Sequence, residues 1–348
     1  LLATGLTWAL LSEEIHIPRK IPFDSIGFWL LAAALVCLQT VLNQGQDSDW
    51  YNAPYLVWLT ILGVLLLAYF VIWELAARAP LLNLRLFSRR NFAIGSVMLS
   101  VAFMMVYGLL SVLLVRLQAV AGYTSFLAGS VLLPLIFLAK PMASVIHKLA
   151  TKFDARLLVS INMLLFALYC WWSSGYDFFQ RGSFFAQPLW SQVLEGFCLG
   201  GLFVPLTTLF LSGLNSKRQT QAVELGGMLR VLGGSVASPL FGVFWERRAA
   251  QHQIRLVDNF APVDALSREV VGHLRAAGFH DSLAIAKVNA LANQHAAILG
   301  LNDTFRLAAW LFLGLAVLVW FAHSTKPKKL TVKAEQRRVE LENLIKEP

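Results

Sequence analysis

The sequence predicts an all-α fold, a polytopic bundle of transmembrane helices. Of its 348 residues, 57% are hydrophobic and only 14% are charged, whereas soluble domains carry about a quarter charged residues. Apolar stretches of about 20 residues, the length needed to cross a bilayer, recur along the chain. Lipid offers no partner for backbone N–H and C=O groups, so these stretches are expected to be helical.

Eight stretches have the length of full spans, and a shorter apolar stretch over residues 1–11 predicts the end of a further helix. A cytoplasmic linker is expected to follow it up to residue 22. Prolines at four positions inside the spans predict kinks that neighbouring helices accommodate: Pro134, Pro141, Pro205 and Pro239. The predicted spans are Ser25–Leu42, Pro54–Leu75, Asn91–Leu114, Ser125–His147, Arg156–Ser174, Leu189–Ser212, Ala222–Phe244 and Thr304–Phe321.

The positions of Lys and Arg predict the orientation, because basic residues collect in short cytoplasmic loops. One set of short loops carries eleven: Arg19, Lys20, Arg78, Arg85, Arg89, Arg90, Lys148, Lys152, Arg156, Lys217 and Arg218. The alternate short loops carry only Arg116 and Arg181. The first set is therefore predicted to be cytoplasmic, and so is the basic tail over residues 326–348. The same rule explains the net charge of +9 without nucleic-acid binding.

A long outer segment over residues 245–303 interrupts the pattern of short loops. Long loops are translocated largely regardless of charge, so its basic residues leave the topology unchanged. Apolar residues spaced three and four apart predict amphipathic helices at Val263–Ala277 and Ser282–Leu299. Its histidines are scattered, without an HxxxH pair, so no metal site is predicted. They are His252, His273, His280 and His295.

Other chemistries lack their sequence signals. There is no Gly-Lys-Ser/Thr phosphate loop, so no ATP hydrolysis by this chain is expected. No pair of polar catalytic residues lies within the spans, so no enzyme, catalytic residue or cofactor is predicted. Three cysteines, Cys37, Cys170 and Cys198, lie in apolar helices and are predicted to be small buried hydrophobic residues.

A series of short motifs resembles the fourteen-helix drug:proton antiporters of the major facilitator superfamily. Their order and spacing carry the resemblance, which covers nearly the whole chain and extends to the multidrug permeases of Gram-negative tripartite pumps. The motifs are Asp24-Ser-Ile-Gly27, Phe70-Val-Ile-Trp-Glu74, Leu82-Asn-Leu-Arg-Leu-Phe87, Arg90-Asn-Phe92, Gly122-Tyr-Thr124, Leu133-Pro134, Pro205-Leu-Thr-Thr208, Leu211-Ser-Gly213, Arg230 with Gly233-Gly-Ser235, and the run Trp245, Arg248 and His252.

The resemblance implies a domain organisation and a function. Residues 23–90 would form the hairpin that joins two halves of a carrier, and residues 91–325 the C-terminal six-helix bundle of a major-facilitator-type fold. The implied activity is proton-coupled export of amphiphilic drugs or toxic compounds by alternating access, in the bacterial inner membrane. A periplasmic adaptor at the outer segment and an outer-membrane channel are the implied partners.

The residues that carry the family's coupling machinery would lie before residue 1, so we expect this chain alone not to transport. A truncated membrane protein that assembles with or regulates a partner is the alternative. The Gly-rich basic motif of the superfamily is also incomplete here. Its basic residues are present at Lys148, Lys152 and Arg156, but the glycine is missing.

Charges at membrane depth are the candidate functional residues, because each costs about 2.5–3.5 kcal/mol on insertion scales. Lys140 either faces the anionic part of a substrate or extends to the cytoplasmic headgroups. Arg230 is expected to form a gating or structural ion pair with Glu224, or to cap a neighbouring helix. Glu195 is the proton-coupling candidate, and the alternative interpretation is that its carboxylate lies in water at the outer interface.

The remaining candidates are helix-end carboxylates and cavity aromatics. Asp24 and Glu74 lie at the inner ends of the hairpin helices, and Asp24 is expected to be a helix cap. Three aromatic residues are candidates for lining a drug cavity: Phe103, Tyr107 and Phe203.

Overall fold

The computed structural model describes residues 24–48, 50–77, 80–119, 122–175, 186–259 and 281–325. This part of the chain is built from α-helices and short 3-10 turns, which confirms the all-α prediction. The helices are α1 (Ser25–Gln44), α2 (Pro54–Ala76), α3 (Arg90–Ala119), α4 (Ser125–Val131), α5 (Leu133–Ala150), α6 (Ala155–Ser173), α7 (Ala186–Leu211), α8 (Ser216–Asn259) and α9 (Asp281–Leu318).

Eight helical segments are long and apolar enough to cross a membrane, in agreement with the eight predicted full spans. Several expectations lie outside the described residues. These are the partial span over 1–11 with its linker, Arg78, Arg181, the helix at Val263–Ala277, His273, His280 and the tail over 326–348.

The described parts of the outer segment, residues 245–259 and 281–303, are helical and continuous with the neighbouring spans. α8 runs on from Trp245 to Asn259, and α9 begins at Asp281 rather than at Thr304. No Gly or Pro interrupts residues 245–259, so the backbone continues as a helix where the side chains become polar. The predicted helix at Ser282–Leu299 is confirmed as the first part of α9.

One predicted span consists of two helices. α4 ends at Val131 and α5 begins at Leu133, with a turn at Leu132. Pro134 has no N–H to donate to the carbonyl four residues earlier, and its ring crowds that carbonyl, which accounts for the break. The prolines farther inside α5, α7 and α8 remain within continuous helices.

The core of the six-helix bundle is apolar and aromatic, and α3 packs against α7, α8 and α9 at its centre. Phe166 of α6 stacks on Phe312 of α9, with ring centroids 4.7 Å apart. The three cysteines are free and buried, as predicted. Small residues permit the closest helix contacts. A Cβ atom at Gly200 of α7 would overlap the backbone of Ala139 in α5.

Side-chain hydrogen bonds connect helices at the end of the bundle where α3 and α6 begin, which we call the basic end. Asp154 accepts hydrogen bonds from Ser324 (2.6 Å), from the Thr325 hydroxyl (3.1 Å) and from Arg156. Burial by itself raises the pKa of Asp154, but these hydrogen bonds outweigh it and hold the pKa well below its usual range. The carboxylate thereby fixes the start of α6 to the chain after α9.

Candidate functional site

Three helices bring a cation and three aromatic rings together inside the bundle. The guanidinium of Arg230 (α8) lies over the ring of Phe103 (α3) at 5.3 Å and over that of Phe203 (α7) at 5.6 Å. The Tyr107 ring, one turn along α3, is 5.9 Å from Phe103. We call these four residues the Arg230 cluster. All four were sequence candidates, and the structure makes them neighbours.

The Arg230 cluster lies near the middle of the membrane-spanning part. Phe103 is thirteen residues from the start of α3, about 20 Å at 1.5 Å per residue. Phe203 is eight residues, about 12 Å, from the end of α7 at the same side. The hydrocarbon core is about 30 Å thick, so both values point to its centre. Substrate sites of alternating-access carriers lie at this depth.

No anion neutralises Arg230 within the described residues. Its side chain makes no ion pair or conventional hydrogen bond there, and the two aromatic faces are its observed partners. Glu224 is exposed and is not paired with Arg230 in this conformation. A Glu224–Arg230 gating pair therefore stays a prediction.

The cluster has one tightly packed side and one open side. A Cβ atom at Gly233 would lie 2.5 Å from the Ser100 carbonyl oxygen, so α8 is pressed against α3 there. A Cβ atom at Gly227, one turn before Arg230, would meet nothing within 4 Å. The Phe203 side chain is 40% exposed and Tyr107 48%, whereas Phe103 is only 7% exposed. An apolar surface beside the cation is therefore open to a ligand.

Lys140 lies on α5, whose packing against α7 uses Ala139 and Met142. The Lys140 side chain is exposed and forms no hydrogen bond or ion pair in the part of the chain that the structure covers. Both interpretations of Lys140, a cavity cation and a residue reaching the headgroups, stay open.

Glu195 on α7 is completely buried. The alternative of a carboxylate in water at the outer interface is therefore wrong, because residues of α6 and α7 cover this position. Among the described residues, neither carboxylate oxygen has a partner at normal hydrogen-bond geometry. Tyr169 of α6 and Gln192 of α7 are the polar groups that face it. A proton-coupling role for Glu195 stays a prediction.

The two helix-end carboxylates join the hairpin helices α1 and α2. Asp24 accepts from the Gly27 backbone N–H at 2.9 Å, which is the hydrogen bond of a helix N-cap, and from the Trp73 indole at 3.0 Å. Glu74 is buried and accepts from the backbone N–H of Leu82. Both carboxylates make structural contacts within the hairpin.

A charged cluster that the sequence did not reveal lies where α8 and α9 meet, at the end opposite the basic end. Asp303 accepts from Arg248 Nε at 2.9 Å and Nη2 at 2.7 Å, and its oxygen lies 2.8 Å from His252 Nε2. Arg306 is 3.7 Å away. Arg248 and His252 are four residues apart, so they share a helix face. That spacing was the available signal, but it gave no indication of the acidic partner.

Arg116 was also misplaced by sequence reasoning, which assigned it to an outer loop. It lies in the last turn of α3, only 1% exposed, and its guanidinium is 5.2 Å from the Trp245 ring. None of its three side-chain nitrogens has a hydrogen-bond partner in the part of the chain that the structure describes. α3 extends beyond the predicted span end at Leu114, and this extension carries Arg116 into the packed interior.

A separate groove of about 590 Å³ lies between α6 and α9, away from the charged residues of the Arg230 cluster. Its lining includes Leu164, Val317 and Trp320, whose side chains are about half exposed. These residues are typical of a lipid-facing helix surface. We therefore assign the groove to the lipid boundary rather than to the candidate site.

No family model matches the chain. It is 32% identical over 322 residues to the fatty acid resistance protein FarB of Neisseria gonorrhoeae, covering 92% of this chain and 63% of that protein. It is 31% identical over 318 residues to the multidrug export protein EmrB of Haemophilus influenzae, covering 91% of this chain and 62% of the relative. For EmrB of Escherichia coli (strain K12) the identity is 31% over 313 residues, covering 90% and 60%. The chain thus spans about three fifths of the length of these relatives.

Proposed function

Because this chain belongs to the multidrug efflux permeases of the major facilitator superfamily, we propose that it takes part in the proton-coupled export of amphiphilic drugs or toxic compounds. The mechanism is alternating access across the bacterial inner membrane. One relative is named for resistance to fatty acids and another for multidrug export. Both names fit amphiphilic cargo.

The observation that carries the proposal is the Arg230 cluster at mid-depth. A charge there is costly and is retained mainly where it lines a pathway or pairs with a ligand. Aromatic rings supply apolar contact area for chemically varied molecules without demanding a particular hydrogen-bond pattern. A binding site near the midplane, exposed alternately to the two sides, is what an alternating-access exporter requires.

The export experiment uses cells that lack their own multidrug pumps and express the complete gene product. We expect reduced accumulation of amphiphilic dyes, and we expect a proton uncoupler to abolish the reduction. Unchanged accumulation in cells that contain the protein in the membrane would overturn the proposal. If the protein instead co-purifies stoichiometrically with another membrane protein, the non-transporting alternative is supported.

The proton-linked group of this part of the carrier is proposed to be Glu195. Its burial without a well-formed hydrogen bond suits a carboxyl group that gains and loses a proton during the cycle. Glu195→Gln is expected to abolish proton-driven export while substrate binding is retained. Asp47→Asn, an exposed carboxylate in the turn after α1, is the matched control and should export normally. Full uphill export by Glu195→Gln would exclude this role.

The proposed orientation places the basic end and the C-terminus in the cytoplasm, in agreement with the distribution of Lys and Arg. Cysteine labelling of the complete gene product can test it, because the three cysteines of this chain are buried and any others can first be replaced by serine. A membrane-impermeant thiol reagent applied from outside should label Ala250→Cys on the extension of α8, and leave Lys152→Cys unlabelled until the membrane is opened. The reverse pattern would invert the topology.

The extension of α8 with the first part of α9 is proposed to contact a periplasmic adaptor, and through it an outer-membrane channel. Ile254 of this extension is 62% exposed and Leu291 of α9 is 44% exposed. A photo-reactive residue at Ile254 should cross-link to the adaptor, and one at the lipid-facing Leu168 of α6 should not. Equal cross-linking at both positions would argue against a specific interface.

A further inference from the structure

We propose that the Arg230 cluster is a binding site for the carboxylate of an anionic amphiphile, with Arg230 holding the headgroup. The inference rests on the proposed export function and names a substrate class for it. In outline, the cation has no anionic partner among the residues that the structure covers, its hydrogen-bond donors remain available, and apolar space adjoins it.

Arg230 is held in place by contacts that do not neutralise it. The faces of Phe103 and Phe203 attract the cation through their quadrupoles. An aromatic face accepts no conventional hydrogen bond, so the N–H groups of the guanidinium remain available. Arginine has five such donors in a planar fork that matches the two oxygens of a carboxylate.

The surroundings suit an apolar tail next to that headgroup. The open position at Gly227 lies on the same side of α8 as Arg230, one helical turn away. The exposed parts of Phe203 and Tyr107 continue the apolar surface. Arg230 is eight residues, about 12 Å at 1.5 Å per residue, beyond the predicted span start at Ala222, which is farther than its side chain extends toward the headgroup region. A ligand within the membrane core is thus the available source of negative charge.

Three probes with the same twelve-carbon chain separate charge from apolar contact: dodecanoate, dodecanol and dodecyltrimethylammonium. Their binding is measured at equilibrium on the complete purified protein in lipid nanodiscs. The wild type should bind dodecanoate at least about ten times more tightly than dodecanol, because hydrogen bonds to charged groups contribute about 1.5–3 kcal/mol.

Four variants test the assignment. Arg230→Gln should weaken dodecanoate binding about ten- to hundred-fold and leave dodecanol unchanged. Arg230→Lys should keep part of the affinity, since lysine retains the charge but lacks the planar fork. Gly227→Leu should weaken dodecanoate and dodecanol together by filling the open space. Arg247→Gln is the matched control, since Arg247 also lies over a ring (Trp50, at 5.9 Å) but on the exposed extension of α8.

The proposal is overturned if Arg230→Gln changes the binding affinity of all three probes equally, or changes none of them. Loss of dodecanoate preference in Lys140→Gln but not in Arg230→Gln would also overturn it and assign the headgroup to Lys140. Melting temperatures show whether each variant folds. If Arg230→Gln does not fold, Arg230→Lys and Gly227→Leu decide. Export of dodecyltrimethylammonium by cells, measured separately, tests the general export function, so the two proposals can fail independently.

Discussion

The charged residues at the two ends of the bundle differ from those within it. At the basic end, Asp154 receives hydrogen bonds from Ser324, Thr325 and Arg156. At the opposite end, Asp303 is surrounded by donors from Arg248 and His252. Inside the bundle, three charged side chains have no ion pair and no hydrogen bond of normal geometry to any residue that the structure describes. They are Arg116, Glu195 and Arg230.

The difference separates charged residues that hold the fold together from charged residues that do not. A carboxylate with several donors connects elements of the chain, and removing it leaves its partners unsatisfied. A buried charge with no ionic partner does not stabilise the fold, because desolvation is not repaid. The two arginines of this group differ in their surroundings: Arg230 has exposed apolar space beside it, whereas Arg116 is only 1% exposed, so we expect a ligand at Arg230 and not at Arg116. Substitutions should therefore affect stability at the ends and ligand selectivity at Arg230.

The largest expected effect on stability is at the tightly packed side of the Arg230 cluster. Gly233→Leu forces a side chain against the Ser100 carbonyl oxygen and should destabilise the protein by about 3 kcal/mol or prevent folding. Gly227→Leu, on the open side, should change stability by less than about 0.5 kcal/mol. Thermal unfolding of both in nanodiscs provides the measurement. Similar melting temperatures would mean that the two sides of α8 are not distinct.

Asp303→Asn should give the next largest effect. The substitution removes the negative charge of Asp303, which both Arg248 and His252 contact, and should lower the free energy of unfolding by about 2 kcal/mol. This value is below that of a fully buried ion pair because Arg248 is partly exposed to solvent. Glu246→Gln, nearby on the exposed side of α8, is the matched control and should be neutral. Equal melting temperatures for the two variants would show that the cluster contributes nothing to joining α8 and α9.

Asp154→Asn should lower stability at neutral pH by about 1–2 kcal/mol, through its lost charge-assisted hydrogen bonds. Because the folded pKa of Asp154 lies below its unfolded value near 3.9, its contribution is complete above that pH. The contribution is lost as the pH falls through the folded pKa. The difference between wild type and variant should thus be constant from pH 5 to 7 and shrink below pH 4. A constant difference down to pH 3 would contradict this assignment.

Arg116→Met should have the smallest effect: the free energy of unfolding should change by less than about 1 kcal/mol, in either direction. The reason is that the apolar residue replaces a buried cation whose hydrogen-bond donors are unsatisfied among the described residues. Export should also be unchanged. A marked loss of export would place Arg116 with Arg230 among the functional charges.

Much of the fold followed from local pattern. Span length and hydropathy located eight helices, and every residue of the Arg230 cluster was a candidate from the sequence. Helix ends were less predictable, because polar residues after Trp245 continue α8 without a breaking residue. The sequence did not show which proline would interrupt its helix. The helix breaks before Pro134, whereas Pro141, Pro205 and Pro239 lie inside continuous helices. Asp303 and Arg116 were missed because their surroundings come from helices distant in sequence.

The sequence by itself determined that this chain lies in a membrane, since apolar stretches of span length have no other stable solvent, and its motifs determined the resemblance to drug exporters. Only the tertiary structure decided which charges are partnered. Nothing local in the sequence shows that Arg248 and His252 are the partners of Asp303, or that Arg230 lies between two aromatic rings. Packing of α7 and α8 against α3 surrounds Arg230 with aromatic faces, whereas packing of α9 against α8 gives Asp303 its donors. The physical reason is that the cost of a buried charge depends on neighbours that folding brings from elsewhere in the chain.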